Sequence, residues 1–167
     1  MTNYYVRPSK KDDCYNLSKT LRKGDVQELF ASSGENPAQA LVKAYLCSQK
    51  HCFSCMLDGE VVGMFGINEV NKNVGIPWLM GSEDLTKYKI EFYRLSIEYL
   101  DTFMNQYNIL FNYVDKRNWQ SIRWLKGLGF QFTKLVAEYG YEKKPFYEFI
   151  KARYVWTSSS TNSNDGL

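Results

Sequence analysis

The dipeptide Asp58-Gly59 is the feature that most limits how this chain can fold. It lies between two β-prone runs, residues 52–57 and 60–68, and its residues tolerate the positive φ angles of a two-residue hairpin turn. The second run contains Gly63 and Gly66, which indicate a bulge or a close approach of another backbone segment. The chain is therefore expected to contain an antiparallel pair of strands here.

Patterns typical of helices and strands alternate on both sides of this hairpin. Apolar residues recur every three to four positions from residue 84 to residue 107, which predicts one long helix packed on a sheet. Pro77 interrupts the strand before that helix and indicates an edge or a break in pairing. The order predicts an α+β fold with a mixed, mostly antiparallel sheet flanked by helices. The predicted strands cover residues 4–8, 52–57, 60–68, 74–79, 109–114, 130–139 and 147–156, and the helices 9–21, 26–30, 37–49, 84–107 and 118–127.

The composition is typical of one folded domain followed by a short polar tail. The chain has 167 residues, of which 44% are hydrophobic and 16% aromatic, enough apolar surface for one core but not for two domains. We predict a single domain over residues 1–156. Residues 157–167 are rich in serine and asparagine, a composition typical of disorder.

Charge and hydropathy limit the expected partners and location. The formal net charge is +3 and no run of lysine and arginine exceeds two residues, so nucleic acid is not an expected partner. No apolar stretch approaches the ~20 residues that a membrane helix needs. The first residues lack the apolar region of a secretory signal, so we expect a cytoplasmic protein without a membrane span.

Cys47, His51, Cys52 and Cys55 stand close together in the sequence and could offer thiolate and imidazole ligands to zinc. Residues 50–57, however, are predicted to form a strand entering the hairpin, and side chains alternate between the two faces of a strand. Cys52 and Cys55 would then point to opposite sides of the sheet. We therefore interpret these cysteines as small buried apolar residues and predict no metal site.

Two segments resemble motifs of the GNAT acyltransferases. One is the hairpin segment from Asp58 to Gly63. The other begins at Asn118, has the small residue Ser121 three positions later and ends in Gly129-Phe130. Together with the order of the elements, this resemblance covers residues 4–155 and implies the GNAT fold.

The chain is also similar to a family of short-tailed bacteriophage proteins that itself resembles the GNAT proteins, typified by the internal virion protein that phage gene 13 encodes. This similarity implies the host cytoplasm or the virion as the location and phage structural proteins as partners. It is carried by Trp78-Leu-Met-Gly81-Ser82, by Leu110-Phe-Asn112-Tyr113-Val114, and by Asn118 and Ile122-Arg123-Trp124-Leu125-Lys126 before Gly129-Phe130.

The GNAT resemblance implies transfer of an acetyl group from acetyl-CoA to an amine. The cofactor would lie at the turn before the long helix, where unpaired N–H groups of the helix bind pyrophosphate. The amine would attack the thioester directly while a strand N–H polarises the carbonyl. The positions implied for the cofactor are Leu79, Gly81, Ser82, Asn118 and Trp124, and the candidates for acid or base catalysis are Glu69 and Tyr113.

The sequence departs from the GNAT pattern in the features that enzymes of this family need. The turn lacks the Gln or Arg and the spaced glycines that hold pyrophosphate, and Glu83 and Asp84 place negative charge there. Leu125 stands where the family has a tyrosine that protonates the departing thiolate. As an alternative, Ser82 or Asp84 would cap the long helix and Asn118 the short one.

Two hypotheses therefore stay open. The first is a phage GNAT-fold acetyltransferase-like protein with acetyl-CoA and an unknown amine as ligands. The second is a non-catalytic virion or assembly protein that keeps the fold and contacts other proteins through aromatic side chains. An exposed aromatic patch between Phe146 and Trp156 would suit a homodimer or an assembly contact.

Overall fold

The computed structural model describes residues 2–153. The predicted tail, residues 157–167, and the end of the last predicted strand lie outside the described residues. The elements in chain order are β1 (Tyr4–Pro8), α1 (Lys11–Ser18), α2 (Lys23–Ser33), α3 (Pro37–Ser48), a 3-10 turn (Gln49–His51), β2 (Cys52–Leu57), β3 (Glu60–Asn71), β4 (Val74–Gly81), α4 (Asp84–Lys87), α5 (Lys89–Gln106), β5 (Ile109–Asp115), α6 (Trp119–Gly127), β6 (Gln131–Tyr139) and β7 (Lys144–Ala152).

Seven strands form one sheet in the order β1-β2-β3-β4-β5-β7-β6. Neighbouring strands run antiparallel except β4 and β5, which are parallel. The parallel pair requires a crossover, and α4 and α5 provide it. The predicted α+β class and the mixed, mostly antiparallel sheet are confirmed.

The Asp58-Gly59 turn joins β2 and β3 as predicted, with positive φ at both residues. The register between these strands shifts at Cys55 and Met56, opposite Gly63 and Val61. Gly66 allows the close approach that its position indicated, because a Cβ there would lie 2.6 Å from the His51 carbonyl oxygen. Both glycine signals in β3 therefore have a structural cause.

Helices cover both faces of the sheet. On one face, α1 and α3 bury Cys14, Leu17 and Leu41 against Met64 and a further set of sheet residues. On the other face, α4 and α5 bury apolar residues against β3 and β5. This second set comprises Leu85, Phe92, Leu100 and Phe103 from the helices with Val62, Ile67 and Leu110 from the strands.

The cysteines of β2 face opposite sides of the sheet, as the alternation of side chains predicted. Cys52 packs in the cluster with Cys14, whereas Cys55 packs with Val62 and Leu85 on the other face. Both thiols are buried and free. The expectation of burial is wrong for Cys47, which is exposed near the end of α3. Burial raises the pKa of the Cys55 thiol to about 12, so this group stays protonated and apolar at neutral pH.

The predicted helix over residues 84–107 is in fact two helices. Tyr88 adopts φ −109° and ψ 37° and separates the single turn of α4 from α5. Leu85 of α4 fills the space above Gly63 and Gly81, where added Cβ atoms would lie 3.1 and 2.6 Å from its methyl groups. Tyr107 follows α5 in an extended conformation and is fully buried.

The expected helix cap at Ser82 or Asp84 is wrong. Glu83 is the N-cap of α4 and its side chain makes no capping hydrogen bond. The Ser82 hydroxyl donates to the Val62 carbonyl oxygen at 3.2 Å, because β3 lies closer to it than the helix N–H groups. Asn118, by contrast, caps α6 and accepts from the Ser121 N–H at 3.4 Å.

The aromatic residues of β7 do not form the exposed patch considered for a dimer. Phe146 and Phe149 are only 1% and 5% exposed, because they lie on strand β7 between β5 and β6 and point into the core. A dimer through these two side chains is therefore excluded. In the described part of the chain, none of the helices is long and apolar enough to cross a bilayer.

Candidate functional site

A cleft opens in the sheet between β4 and β5. The two strands pair only through Val74 with Ile109 and through Gly75 with Leu110. Beyond this point Pro77 has no N–H to donate, and its carbonyl accepts from the Asn112 side chain at 2.9 Å. The break in pairing predicted from Pro77 is therefore confirmed, and it marks the closed end of the cleft.

The cleft encloses a cavity of about 270 Å³. Its wall is mostly apolar and consists of side chains from both strands and from α5 and α6. Polar groups reach it only at a few positions, among them Ser96, Asn112 and Ser121. The aromatic part of the wall includes Phe92, Tyr99, Phe103, Trp124, Phe130 and Phe149.

Two carboxylates of α2 close the open end of the cleft. The Asp25 carboxylate accepts a hydrogen bond from the Gly81 N–H of β4 at 2.9 Å. The Glu28 Oε2 atom accepts from the Asp115 N–H of β5 at 3.1 Å. Because Asp25 and Glu28 lie one helical turn apart on the same face, α2 bridges the two diverging strands. We call this pair the acidic clamp.

Neighbouring side chains hold the acidic clamp in place. Arg22 donates two hydrogen bonds of 2.9 Å to the Asp25 carboxylate, and both side chains are buried. The Arg22 N–H also donates to the Gly81 carbonyl at 3.0 Å. The Asn118 amide donates to Glu28 at 2.9 Å and to Asp25 at 3.4 Å, so the cap of α6 links both carboxylates.

The far end of α2 is fixed by the turn between β6 and β7. The Tyr141 and Glu142 N–H groups donate to the Ser32 and Ala31 carbonyls, each at 3.0 Å. Gly140 is needed there, because its φ is +69° and a Cβ would lie 2.6 Å from the Ser32 backbone. Helix α2 is thus held to β4, to β5 and to this hairpin.

Burial raises the pKa of the Glu28 carboxyl to about 8. The hydrogen bond from Asn118 opposes this rise, and the negative charge of Asp25 adds to it. At neutral pH the carboxyl is therefore mostly protonated. A protonated carboxyl can donate as well as accept a hydrogen bond, which gives the cavity one titratable polar group.

Three of the predicted cofactor residues, Leu79, Gly81 and Ser82, lie on β4 or in the turn after it, and each has a different environment. Leu79 lines the cavity. The Gly81 backbone is bonded to Asp25 and Arg22 on its cleft side. Ser82 is buried, pairs with Leu21 across an isolated bridge and donates its N–H to Val62.

Asn118 and Trp124 both lie at the cleft, next to groups of the protein itself. Asn118 is buried beneath α2 and its amide is bonded to the acidic clamp. Trp124 lines the cavity and stacks on Phe92 with ring centroids 4.7 Å apart. A second contact, edge to face at 5.5 Å, joins it to Tyr93.

The structure does not bring the two candidate acid and base residues together. Tyr113 lines the cavity, but its hydroxyl donates to Glu148 at 2.8 Å, a bond that raises the pKa of Tyr113. Glu69 is exposed near the end of β3 and accepts from the Tyr107 hydroxyl at 2.9 Å. It does not line the cavity.

The turn where the resemblance implies pyrophosphate binding does not fit an anion. Glu83 and Asp84 bring carboxylates to it, and Asp84 pairs with Lys87, the basic residue of α4. Helix α4 is a single turn, so its dipole is small. The Gly81 N–H, which faces the cleft, already has a carboxylate acceptor. The residues of this turn therefore do not fit the pyrophosphate of acetyl-CoA.

No residue of the acidic clamp is among the candidates that the sequence offers, although α2 carries a signal of it. Val26 and Phe30, two apolar residues of the predicted helix over 26–30, are 37% and 46% exposed, whereas Asp25 is 5% exposed. In α2 the acids Asp25 and Glu28 face the sheet, whereas Val26 and Phe30 face the solvent. An ordinary amphipathic helix has the opposite arrangement. That reversal marks a face that binds polar backbone.

Replacing Trp124 with alanine is expected to lower the free energy of unfolding by about 2 kcal/mol. The value is below the range for a fully buried tryptophan, because Trp124 is only partly buried and faces a cavity. Chemical denaturation measures this change. A matched Trp119→Ala variant, in which the lost ring is 59% exposed, should stay within about 0.5 kcal/mol of the parent; equal effects would contradict the packing described here.

Solved structures with the same architecture are GNAT proteins. Ard1 from Thermoplasma volcanium matches with a TM-score of 0.70 and 16% identity over 91% of this chain and 99% of that one. The aminoglycoside acetyltransferase AAC(6')-Ib, solved with coenzyme A, matches with a TM-score of 0.64 and 15% identity over 90% and 95%. A GNAT-family acetyltransferase from Bacillus anthracis matches with a TM-score of 0.64 and 13% identity over 89% of this chain and 94% of that one. The chain has the GNAT fold.

A family model of phage proteins matches residues 77–140, from β4 to the end of β6. Its description is bacteriophage T7, probable scaffold protein Gp13. The match includes both strands of the cleft and α6 but not the acidic clamp of α2. No curated protein sequence matches the chain. Both resemblances noted in the sequence are thus confirmed, the GNAT likeness for the fold and the phage likeness for this segment.

Proposed function

We propose that this protein is a non-catalytic component of phage assembly that uses the GNAT fold as a structural framework. The observation that carries this proposal is the hydrogen bond from the Gly81 N–H to Asp25. It fills, with a carboxylate of the chain itself, the strand position where the family resemblance places the cofactor. The enzyme hypothesis would need this position to be free.

Electrostatics support the same conclusion. An incoming pyrophosphate would meet Glu83 and Asp84 at the turn and Asp25 at the end of β4. The negative charges of pyrophosphate and of these carboxylates would repel each other, and the repulsion is stronger in a partly buried site than in water. Arg22, whose N–H bonds to Gly81 of β4, is already paired with Asp25, so its charge is not free to offset this repulsion.

Exposed aromatic side chains support a role in protein contacts. Trp119 is 59% exposed and Tyr141 is 68% exposed, and Phe30 packs against Tyr141 edge to face. Aromatic residues of this kind are enriched at protein interfaces. Together with the match to a family described as a probable scaffold protein, they favour other phage structural proteins as partners and the virion or the host cytoplasm as the location.

A second candidate function, acetyl transfer from acetyl-CoA to an amine, is favoured by one feature. The N–H of Leu79 points into the cleft between Pro77 and Gly81, because hydrogen-bonding directions alternate along β4. A free N–H in this place could polarise a carbonyl. For this function the acidic clamp would have to open.

Calorimetric titration with acetyl-CoA distinguishes the two functions. We expect no heat and no rise in melting temperature at millimolar cofactor, because a ligand that binds only the folded state must stabilise it. A CoA-binding GNAT enzyme titrated in the same buffer is the positive control. Micromolar binding to this protein would overturn the non-catalytic proposal and favour acetyl transfer.

Phage assembly is tested in an infection from which the protein is missing. A stop codon early in its gene is expected to lower the yield of infectious particles, and supplying the intact protein from a plasmid should restore it. Full yield without the protein would contradict the assembly role. Because the titration with acetyl-CoA addresses only catalysis, the two experiments can fail independently.

A further inference from the structure

We propose that the cavity between β4 and β5 binds an uncharged, largely aromatic molecule, with the Leu79 N–H and the Glu28 carboxyl as its two polar contacts. This site is a different one from the contacts expected with phage proteins, and the inference does not rest on the proposed assembly role. It follows from the size, the wall and the polar groups of the cavity.

The size of the cavity sets the size of the ligand. Apolar cavities of about 150 Å³ in protein cores hold benzene. A volume of about 270 Å³ therefore accommodates a ring with a short substituent, roughly ten non-hydrogen atoms.

The wall favours an aromatic ring. Phe92 and Trp124 stack on each other with ring centroids 4.7 Å apart, and Tyr99 packs edge to face against Phe65 at 4.9 Å on the same side of the sheet, so a ligand ring would meet the remaining faces and edges of these side chains. All four line the cavity. Offset and edge-to-face contacts with such rings add to the gain from burying an apolar surface.

Two polar groups remain available to the ligand. The Leu79 N–H is directed into the cleft, and β5 has already diverged from β4 at this residue. Glu28 lines the cavity, and both of its hydrogen bonds are made by Oε2, which leaves Oε1 without a partner among the described residues. A ligand with one hydroxyl or amide group could bond to either.

The surroundings disfavour a charged ligand. The charges of Asp25 and Asp115 are already matched by Arg22 and Arg117. Glu28 has no cation partner among the described residues, and burial raises the pKa of its carboxyl. An environment that favours the neutral form of this acid also penalises an anion or an ammonium ion entering beside it.

Three probes of nearly the same shape test the charge preference. 2-Phenylethanol is neutral, phenylacetate is an anion and 2-phenylethylamine is a cation at pH 7. We expect 2-phenylethanol to bind at least about tenfold more tightly than either charged probe, because the cavity cannot solvate a charge. Binding is followed by tryptophan fluorescence and by calorimetry. Equal or tighter binding of a charged probe, or no binding of the alcohol, would overturn the proposal.

Two variants that fill the cavity locate the binding. Ser96→Leu on α5 and Ser121→Leu on α6 add bulk at positions that line it. Each is expected to weaken binding of 2-phenylethanol at least tenfold. The Ser96 hydroxyl bonds only to Phe92 of its own helix, so its loss leaves no buried partner unsatisfied.

Thr102→Leu is the matched control. Thr102 lies on the exposed side of α5, and its hydroxyl also bonds within the helix, to Glu98. This variant should bind the alcohol as the parent does. Unchanged binding in a folded Ser96→Leu or Ser121→Leu protein would show that the probe binds elsewhere, and would overturn the proposal.

Discussion

Replacing Asp25 with alanine is expected to lower the free energy of unfolding by about 3–5 kcal/mol. The substitution leaves the buried Arg22 guanidinium without its anion and the Gly81 N–H without its acceptor. Removing one partner of a buried ion pair has an effect of this size because the other charge stays buried. Denaturant-induced unfolding measures the change, and the slope with denaturant should stay the same.

Asp84→Ala is the matched control for this prediction. Asp84 also pairs with a basic residue three positions away, but the Asp84 and Lys87 side chains are 47% and 68% exposed. Exposed pairs of this kind contribute about 0–1 kcal/mol. Similar losses in the two variants would mean that the acidic clamp does not hold α2 against the sheet.

Stability is expected to fall as the pH rises from 5 to 8, and Glu28 is the main cause. The pKa of its carboxyl is about 8 in the folded protein, well above the ordinary glutamate value of 4.5 that applies in the unfolded chain. Between these values the folded state holds a proton that the unfolded state has lost. The stabilisation is complete below the unfolded pKa and is lost as the pH rises through the folded pKa, a change on the order of 4 kcal/mol for this group.

Glu28→Gln is expected to remove this dependence on pH. Glutamine keeps the shape of the protonated acid and an oxygen to accept from Asn118 and the Asp115 N–H. The variant should be more stable than the parent at pH 8 and nearly equal to it at pH 5. Melting curves between pH 5 and 9 measure the difference, with Glu98→Gln on the exposed face of α5 as the control.

The result that would reject the assignment to Glu28 is a parallel pH profile in the parent and in Glu28→Gln. The negative charges of Asp25 on α2 and Asp115 on β5 add to the rise in the pKa of this carboxyl, and each of the two is paired with an arginine. A profile that remained in Glu28→Gln would mean that a group other than Glu28 causes the dependence on pH.

The sequence was sufficient to predict the parts of the fold that depend on local chemistry. The positive φ of Asp58 and Gly59 and the missing N–H of Pro77 act over a few residues. They correctly placed the hairpin and the break between β4 and β5. The apolar period of residues 84–107 correctly placed helical structure on the sheet, but it predicted one continuous helix where the structure has two.

The acidic clamp and the break at Tyr88 could not be predicted in this way. Asp25 is buried because an unpaired N–H of Gly81 lies opposite it, and these residues meet only in the finished fold. Tyr88 separates α5 from the short helix α4, whose Leu85 fills the space above Gly63 and Gly81 of two distant strands. Such contacts join segments that are distant in the sequence, so local helix propensity cannot reveal them. From propensity alone, the helix is predicted to continue through Tyr88 and Asp25 to be exposed.

The hairpin between β6 and β7 also sets the order in which the cleft can be completed. Helix α2 is made before this hairpin, and the N–H groups that hold its last turn belong to Tyr141 and Glu142, which follow much later in the sequence. Contacts of such long sequence separation are slow to form, because the intervening chain must first be ordered. On the ribosome, the bonds of the acidic clamp to β4 and β5 could therefore form before the last turn of α2 is held, and a nascent chain stopped short of this hairpin would leave that turn without its two N–H donors.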